Sequence, residues 1–388
     1  MFNPERSKKL KLLPPYLFLE IDKAKREARS KGKDIIDLGI GDPDQPTPKY
    51  IIEALYQAAL DPVNHRYALD QGIPALRRAI AGWYKRRFSV SLNPDTEILP
   101  LVGSKEGIAH LPSAFLDNGD YSLVPDPCYP PYKGGTILAG GKFYPLPLHE
   151  SNSFLPDVKE IPANICRKAK LLFLNYPNNP TASVAPLEFY RGIVKFAKKN
   201  KIIVVSDLAY SEIAYDGYRS ASFLEIEGAK DLAIEFHSLS KTYNMTGWRI
   251  GFACGNSQLI SALTKVKSNI DSGIFSAIQL AGIAALEGPD EHIRNMCILY
   301  QKRRDLLTSG LRSLGWQVNS PKATFYVWIK IPTKLDSIKF SNLLLKKADI
   351  VVTPGVGFGR FGEGFIRIAL TVPEPRIKEA IERLKKIV

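Results

Sequence analysis

The sequence is poor in the residues that build metal centres and disulfide frameworks. Its 388 residues include only four cysteines and five histidines. The cysteines are scattered without a CxxC pair, and the histidines show no HExxH spacing. Neither a metal site nor a disulfide framework is therefore indicated. Isolated thiols of this kind are typical of proteins in the reducing cytosol.

Long apolar runs are also missing. No window approaches the roughly 18 uncharged apolar residues of a membrane-spanning helix. Residues 1–6 (MFNPER) lack the apolar core of a signal peptide. We therefore expect a cytoplasmic protein without a membrane partner.

Basic residues outnumber acidic ones, which gives a formal net charge of +14. An excess of positive charge can favour binding to nucleic acids or other anionic partners. The basic residues are nevertheless mixed with acidic ones on helix patterns such as residues 21–29, and no basic tract is interleaved with aromatic residues. This mixing is typical of a solvated surface, so we expect no nucleic-acid partner.

The composition, 45% hydrophobic and 24% charged, indicates a globular chain long enough for two domains. Between about residues 49 and 285, apolar strands alternate with amphipathic helices, a pattern typical of a helix-covered, mainly parallel sheet. A proline-rich turn precedes this part, and a smaller α+β pattern follows Gly288 and Pro289. We predict an N-terminal arm with a small-domain segment (1–45), a large domain (46–288) and a small C-terminal domain (289–388).

Polar side chains follow three apolar strand patterns. The strand at residues 171–175 leads to Asn179, the strand at 202–206 ends at Asp207, and a third precedes Lys241 in the stretch SLSK. Ligands of open α/β sheets bind outside the carboxyl ends of the strands. These three side chains are therefore expected to face one crevice.

One apparent nucleotide motif is set aside. Residues 357–362 (GFGRFG) match GxGxxG, but an apolar strand pattern follows them. A dinucleotide fingerprint must open a helix, so this segment is predicted to form a turn.

An amide, a carboxylate and a lysine together match the needs of pyridoxal 5′-phosphate. Its aldehyde condenses with a lysine, its ring nitrogen pairs with a carboxylate, and its 3′-oxygen accepts hydrogen bonds. A phosphate site is indicated at residues 99–111, which read as strand, tight turn and helix start with free backbone N–H groups. Ser238 and Arg249 could complete that site.

Five motifs carry a family resemblance: GSKEG (103–107), DPCYP (126–130), NNPT (178–181), Asp207-x-x-Tyr210 and SLSK (238–241). In this order and spacing they resemble the fold-type I pyridoxal-phosphate aminotransferases over nearly the whole chain. The resemblance implies an α/β fold, with a mainly parallel seven-stranded sheet in a large cofactor-binding domain and a smaller α+β domain. It also implies amino-group exchange between amino acids and keto acids.

The resemblance implies specific roles. Lys241, Asp207 and Tyr210 would be catalytic: Lys241 would hold the cofactor and move a proton, and Asp207 would keep its ring nitrogen protonated. Tyr67 would come from a partner subunit, which implies a homodimer. The cofactor-binding set is then Tyr67, Ser104, Lys105, Tyr129, Asn179, Asp207, Tyr210, Ser238, Ser240, Lys241 and Arg249.

Residues 13–18 and 37–48, together with GSKEG, most resemble the LL-diaminopimelate aminotransferases within this family. That branch would take glutamate as amino donor and tetrahydrodipicolinate, in its opened keto form, as acceptor. Asp70 of the partner stands where the family usually has glutamate, and no residue near 269–276 clearly matches a family asparagine. The implied substrate-binding set is Tyr16, Gly41, Asp70, Lys105, Tyr129, Asn179 and Arg367.

Other functions share these residues. An aspartate, alanine or aromatic aminotransferase would differ only in the pocket for the distal end of the substrate, and a pyridoxal-phosphate β-lyase is a third possibility. A transcription regulator with an aminotransferase-like domain would need a helix-turn-helix domain first. Only 36 residues precede Asp37, which are too few for one.

Overall fold

A computed structural model describes residues 4–14, 17–68 and 70–387, with only the backbone described for residues 17–20. The β-strands are, in chain order, β1 (Ile36–Asp37), β2 (Ile98–Leu101), β3 (Tyr121–Asp126), β4 (Lys142–Pro147), β5 (Ala169–Asn175), β6 (Ile203–Asp207), β7 (Ala233–Ser238), β8 (Gly251–Gly255), β9 (Tyr326–Lys330), β10 (Ile350–Val351), β11 (Thr353–Pro354) and β12 (Phe365–Ala369). The α-helices are α1 (Lys8–Leu12), α2 (Leu17–Ser30), α3 (Lys49–Leu60), α4 (Pro74–Phe88), α5 (Ser104–His110), α6 (Pro112–Phe115), α7 (Pro131–Ala139), α8 (Ala163–Cys166), α9 (Leu187–Asn200), α10 (Leu239–Thr242), α11 (Ser257–Lys267), α12 (Ser276–Glu287), α13 (Glu291–Ser313), α14 (Ser337–Ala348) and α15 (Glu374–Leu384).

The central sheet has seven strands in the order β2-β8-β7-β6-β5-β3-β4. Strands β4, β3, β5, β6 and β7 pair in parallel, and β8 runs antiparallel to both of its neighbours. Its middle strands are apolar on both faces because helices cover both sides, as is usual for parallel sheets. The predicted mainly parallel seven-stranded sheet is confirmed.

The parallel register brings the polar strand ends together. Asn175 at the end of β5 pairs directly with Asp207 at the end of β6. Strand β7 ends at Ser238, and the chain turns at once into α10, which carries Lys241. The carboxyl ends of three adjacent strands therefore open on one edge of the sheet.

A second apolar cluster lies around the three-stranded antiparallel sheet β11-β12-β9. Helix α13 buries Met296, Tyr300, Leu307 and Leu311 in it, and their spacings of four, seven and four residues place them on one helical face. Strand β1 pairs in parallel with β10, so the first strand of the chain joins its C-terminal part.

The glycine-rich segment 355–362 forms two short 3-10 turns and leads into β12. The prediction of a turn is confirmed. A Cβ atom added to Gly359 would lie 2.0 Å from Asp126 Oδ1, and one added to Gly355 would lie 1.9 Å from the Gly362 carbonyl oxygen. Close packing, rather than nucleotide binding, accounts for these glycines.

Within the described ranges, none of the helices combines the length and apolar character needed to cross a membrane.

Candidate active site

A cavity of about 250 Å³ opens at the carboxyl ends of β5, β6 and β7 and extends to β9 and β12. Twelve residues predicted from the sequence line it: Gly41, Ser104, Lys105, Tyr129, Asn179, Asp207, Tyr210, Ser238, Ser240, Lys241, Arg249 and Arg367. The lining also includes residues that were not predicted: Asn175, Ala209, Thr246, Tyr326 and Phe358.

Lys241 projects from α10 into this cavity, and its Nζ donates a hydrogen bond to the Gly41 carbonyl oxygen at 3.0 Å. Burial lowers the pKa of Lys241 to about 8; Asp42 opposes this shift, while Arg367 and Arg249 add to it. A lysine with this pKa has an appreciable neutral fraction near neutral pH. It can therefore act as a nucleophile and as a base.

Asp207 is buried at the end of β6, and burial raises its pKa to about 6. Hydrogen bonds from the Tyr132 phenol (2.7 Å) and the Ala209 N–H (3.3 Å) limit that rise. The carboxylate therefore remains largely ionised at neutral pH. A buried anion that lines a cavity is suited to a cationic group of a ligand.

Tyr132, which the sequence reasoning missed, holds this carboxylate. It lies in the first turn of α7, fully buried, with its ring stacked on Phe173 at 4.9 Å and edge-on to Tyr129 at 5.8 Å. Its spacing of three residues from Tyr129 was the only available signal. That spacing puts both tyrosines on one side of the turn, but does not reveal Asp207 as a partner.

Cationic and hydrogen-bonding groups converge beside Gly103, whose φ of +76° lies in the left-handed region. A Cβ atom at Gly103 would lie 2.7 Å from Nη2 of Arg249, so glycine is what allows the guanidinium to approach the start of α5. Ser104, Lys105, Ser238 and Ser240 line the same cavity as Arg249. Backbone N–H groups, hydroxyls and two cations in one place form a suitable cradle for a phosphate.

Arg367 lies on β12 and is buried. Its Nη1 donates to Asn179 Oδ1 at 2.7 Å, and its Nη2 donates to the Gly39 carbonyl oxygen at 2.8 Å. Its guanidinium also lies over the rings of Tyr326 (4.1 Å) and Phe358 (4.7 Å). A guanidinium oriented in this way can bind a carboxylate through two parallel hydrogen bonds.

Tyr210 is also buried, and its phenol oxygen lies 3.2 Å from that of Tyr326. Burial raises the pKa of Tyr210 well above its ordinary value, so the phenol stays neutral and can donate a hydrogen bond.

Two further predicted residues, Tyr67 and Asp70, do not line the cavity of this chain. Tyr67 is 92% exposed and Asp70 is partly buried. Tyr16 lies outside the described residues.

These groups fit pyridoxal phosphate on chemical grounds: an amine of lowered pKa, a buried carboxylate, a cradle for an anion and an aromatic side chain at Tyr129. Sheet and cavity thus define a pyridoxal-phosphate enzyme of the α/β class. The chain belongs to the aminotransferase class I and II family, whose sequence profile matches residues 33–384. It is a pyridoxal-phosphate-dependent aminotransferase that exchanges amino groups between amino acids and keto acids.

Several relatives match at nearly full length. The chain is 53% identical to the LL-diaminopimelate aminotransferase of Moorella thermoacetica, covering 99% of this chain and 98% of that protein. It is 55% identical to the LL-diaminopimelate aminotransferase of Halothermothrix orenii, covering 98% of both. Among solved structures, substrate-bound BacF from Bacillus subtilis matches with a TM-score of 0.96 and 40% identity, covering 99% of this chain and 98% of that one.

Proposed function

We propose that this protein is an LL-diaminopimelate aminotransferase of lysine biosynthesis. It would transfer the amino group of glutamate to the opened keto form of tetrahydrodipicolinate, giving LL-diaminopimelate and 2-oxoglutarate. The main support for transamination is that Lys241, Asp207 and Arg367 line one cavity. The choice of substrate is supported by relatives of that name at 53–55% identity over nearly the full chain.

The proton transfer is assigned to Lys241. When bound, pyridoxal phosphate supplies an electron-withdrawing ring that stabilises negative charge at the substrate α-carbon. Lys241 Nζ takes the proton from that carbon, and its lowered pKa keeps enough amine neutral for the task. Asp207 accepts a hydrogen bond from the protonated ring nitrogen and keeps the proton there.

The other cavity residues hold the cofactor. Tyr129 would pack on the face of the cofactor ring, and Tyr210 would donate a hydrogen bond to its 3′-oxygen. Asn179 Oδ1 already accepts a hydrogen bond from Arg367. The side-chain N–H group of Asn179 is therefore the one that would donate to the 3′-oxygen of the cofactor. The phosphate is bound by Ser104, Lys105, Ser238, Ser240 and Arg249.

Arg367 binds the α-carboxylate of each substrate. Because Arg367 is buried, its ion pair with the substrate would be shielded from water. Two parallel hydrogen bonds would both strengthen binding and fix the orientation of the substrate carboxylate. The large domain (46–288) carries Lys241 and Asp207, whereas the small domain (289–388, with 1–45) carries Arg367. Substrate binding would then draw the two domains together.

The distal end of diaminopimelate is assigned to a site shared between two subunits. Gly41, Lys105 and Tyr16 would come from one chain, with Lys105 on the far carboxylate. Asp70 would come from the partner and bind the far ammonium, and the partner's Tyr67, three residues earlier, would bind the cofactor phosphate. This arrangement accounts for the absence of Tyr67 and Asp70 from the cavity of one chain.

An apolar surface supports the homodimer. Ile52, Tyr56 and Leu60 recur every four residues on one face of α3 and are all exposed. Val63 is exposed next to them, and the rings of His65 and Phe275 lie 6.3 Å apart, which brings exposed Phe275 to the same region. Contiguous exposed apolar side chains are typical of a surface that a partner covers. The cytoplasm is the expected location of the enzyme.

A half-reaction screen tests the proposal. LL-diaminopimelate, glutamate, aspartate, alanine and phenylalanine are each added to the holoenzyme, and the cofactor absorbance is followed. We expect LL-diaminopimelate and glutamate to convert the cofactor far faster than the others. If aspartate, alanine or phenylalanine reacts fastest, the catalytic assignments stand and the distal assignments of Lys105 and Asp70 are wrong.

A further inference from the structure

Tyr326 is a cavity residue to which no motif points. It begins β9, is 3% exposed, and contacts three segments that lie far apart in the sequence. These segments contain Gly41, Tyr210 and Arg367. One side chain therefore joins the N-terminal segment, the end of the central sheet and the small antiparallel sheet.

The contact with Arg367 follows from strand register. Tyr326 pairs with Ala369 and Trp328 pairs with Arg367, so Tyr326 and Arg367 are diagonal neighbours on one face of the β9–β12 ladder. The guanidinium carbon lies 4.1 Å from the centroid of the Tyr326 ring. A cation over an aromatic face is attracted to it, and this contact restricts the tilt of the guanidinium plane.

The contact with Tyr210 has a direction. The two phenol oxygens are 3.2 Å apart. A phenol has a single proton, and the proposed function directs that of Tyr210 to the 3′-oxygen of the cofactor. The proton between the two phenols must then come from Tyr326, and its donation makes Tyr210 the stronger donor.

Tyr326 also packs closely against Gly41, at a position where no side chain would fit. A Cβ atom at position 41 would lie 1.9 Å from the phenol oxygen of Tyr326 and 2.5 Å from the ring carbon that bears it. Glycine at this position thus leaves room for the tyrosine to stay where it meets its other two partners.

We propose that Tyr326 is a positioning residue that simultaneously orients Tyr210 toward the cofactor and Arg367 toward the substrate carboxylate. The inference rests on the roles proposed above for Tyr210 and Arg367. The two effects of Tyr326 are separable, because its phenol oxygen contacts Tyr210 and its ring contacts Arg367. Tyr326→Phe removes only the hydrogen bond to Tyr210, whereas Tyr326→Leu also removes the ring that contacts Arg367.

The test uses the holoenzyme and two readouts other than turnover. The first is a pH titration of the visible absorbance of the bound cofactor, which reports how strongly Tyr210 stabilises the ionised 3′-oxygen. The second is the dissociation constant of α-methylglutamate, which carries the α-carboxylate but has no α-proton to lose. For Tyr326→Phe we expect the spectral pKa to rise by about half a unit and the dissociation constant to stay within about twofold. For Tyr326→Leu we expect the same rise in pKa, with binding weakened about 10- to 30-fold.

Tyr300→Phe is the matched control. Tyr300 is fully buried in the same apolar cluster but does not line the cavity, and its phenol oxygen has no hydrogen-bond partner among the residues that the structure describes. Its removal should leave both readouts unchanged. A spectral pKa in Tyr326→Phe that equals or falls below that of the wild type overturns the inference, as does unchanged α-methylglutamate binding in a folded Tyr326→Leu protein. If Tyr326→Leu does not fold, the Tyr326→Phe titration decides.

Two further variants separate this inference from the proposed function. If Tyr210→Phe and Arg367→Lys leave the readouts unchanged, the proposed roles of those two residues fail, and the inference fails with them. If both variants shift the readouts and Tyr326→Phe does not, the inference alone fails.

Discussion

At the residue scale, the burial of Asp207 favours cofactor binding but lowers the folding stability of the cofactor-free protein at neutral pH, where the buried carboxylate is charged. Its pKa is raised from 3.8 to about 6, so the folded protein holds this proton over a range in which the unfolded chain releases it. The contribution of Asp207 to the stability of the cofactor-free protein is therefore fully present below about pH 4 and lost as the pH rises through 6.

We accordingly expect Asp207→Asn to stabilise the cofactor-free protein at pH 8 by about 1 to 3 kcal/mol, since a shift of two pKa units corresponds to about 3 kcal/mol. At pH 4 the difference should be small, because the carboxyl group is then neutral in the folded protein and only partly ionised in the unfolded chain. Denaturant unfolding at both pH values measures the difference. Equal stabilisation at the two pH values would show that the charge is not its source. The same variant should bind pyridoxal phosphate more weakly.

Tyr132 is expected to act on catalysis through Asp207. Tyr132→Phe removes the 2.7 Å hydrogen bond to Oδ2, so the pKa of Asp207 should rise further. We expect the acid limb of the pH profile of pyridoxal-phosphate affinity, measured on the cofactor-free protein, to move up by about one pH unit, the equivalent of a charge-assisted hydrogen bond of about 1.5 kcal/mol. Tyr190→Phe, a buried tyrosine on α9 outside the cavity, is the control. An acid limb that stays in place would remove Tyr132 from the mechanism.

At the element scale, the turn 355–362 fastens β12 and its surroundings to the end of β3. The Phe361 N–H donates to Asp126 Oδ1 at 3.1 Å, and the Cys128 N–H donates to the Phe358 carbonyl oxygen at 2.9 Å. These bonds hold Phe358 where its ring meets Arg367 at 4.7 Å. The turn therefore links Arg367 to the loop that carries Tyr129.

Gly359→Ala tests this link. The added methyl group would collide with Asp126, and the φ of +144° adds backbone strain, so the turn must move and carry Phe358 with it. We expect the KM for glutamate to rise about tenfold, with a smaller change in kcat, because Arg367 loses an aromatic contact. Gly364→Ala is the control, since its φ of +84° is also left-handed but no atom of the described part of the chain lies within 4 Å of the added carbon. Similar KM values for the two variants would attribute the effect to backbone strain alone.

The sequence predicted the elements that place the catalytic groups because parallel strands deliver their carboxyl ends to one edge. Asp207 and Lys241 could be placed in one crevice from strand patterns alone, and the cavity contains both. Tyr132, Tyr326 and Phe358 could not, because their contacts depend on how α7 and the small sheet pack against the strand ends. No residue spacing encodes that packing.

At the scale of the whole molecule, the cavity of one chain lacks two of the predicted site residues, Tyr67 and Asp70. Tyr67 is 92% exposed and follows, by four residues, Val63 of the apolar surface formed by Ile52, Tyr56, Leu60, Val63 and Phe275. No pattern in the sequence predicted an interface. The apolar residues of α3 fit an ordinary amphipathic helix, and the sequence does not show which of them face the protein interior and which are exposed. The homodimer and the domain boundaries remain predictions, and the first of these can be tested by subunit mixing.

Lys241→Ala and Tyr67→Ala homodimers should each be nearly inactive, the first without its base and the second without the partner-supplied tyrosine. A hybrid of the two has one site with both wild-type residues. After equal mixing and subunit exchange, about half of the dimers are hybrids, and activity should recover to about a quarter of the wild-type value.

Lys241→Ala mixed with Arg367→Ala is the control, because both residues line the cavity of the same chain and no exchange can restore an intact site. Recovery in this control would mean that Arg367 and Lys241 belong to different sites. If hybrids form, as judged by native mass spectrometry, and the first mixture still fails to recover, Tyr67 does not act across the interface. The apolar surface would then need another explanation, and the distal role of Asp70 would lose its support, because Asp70 is only three residues from Tyr67.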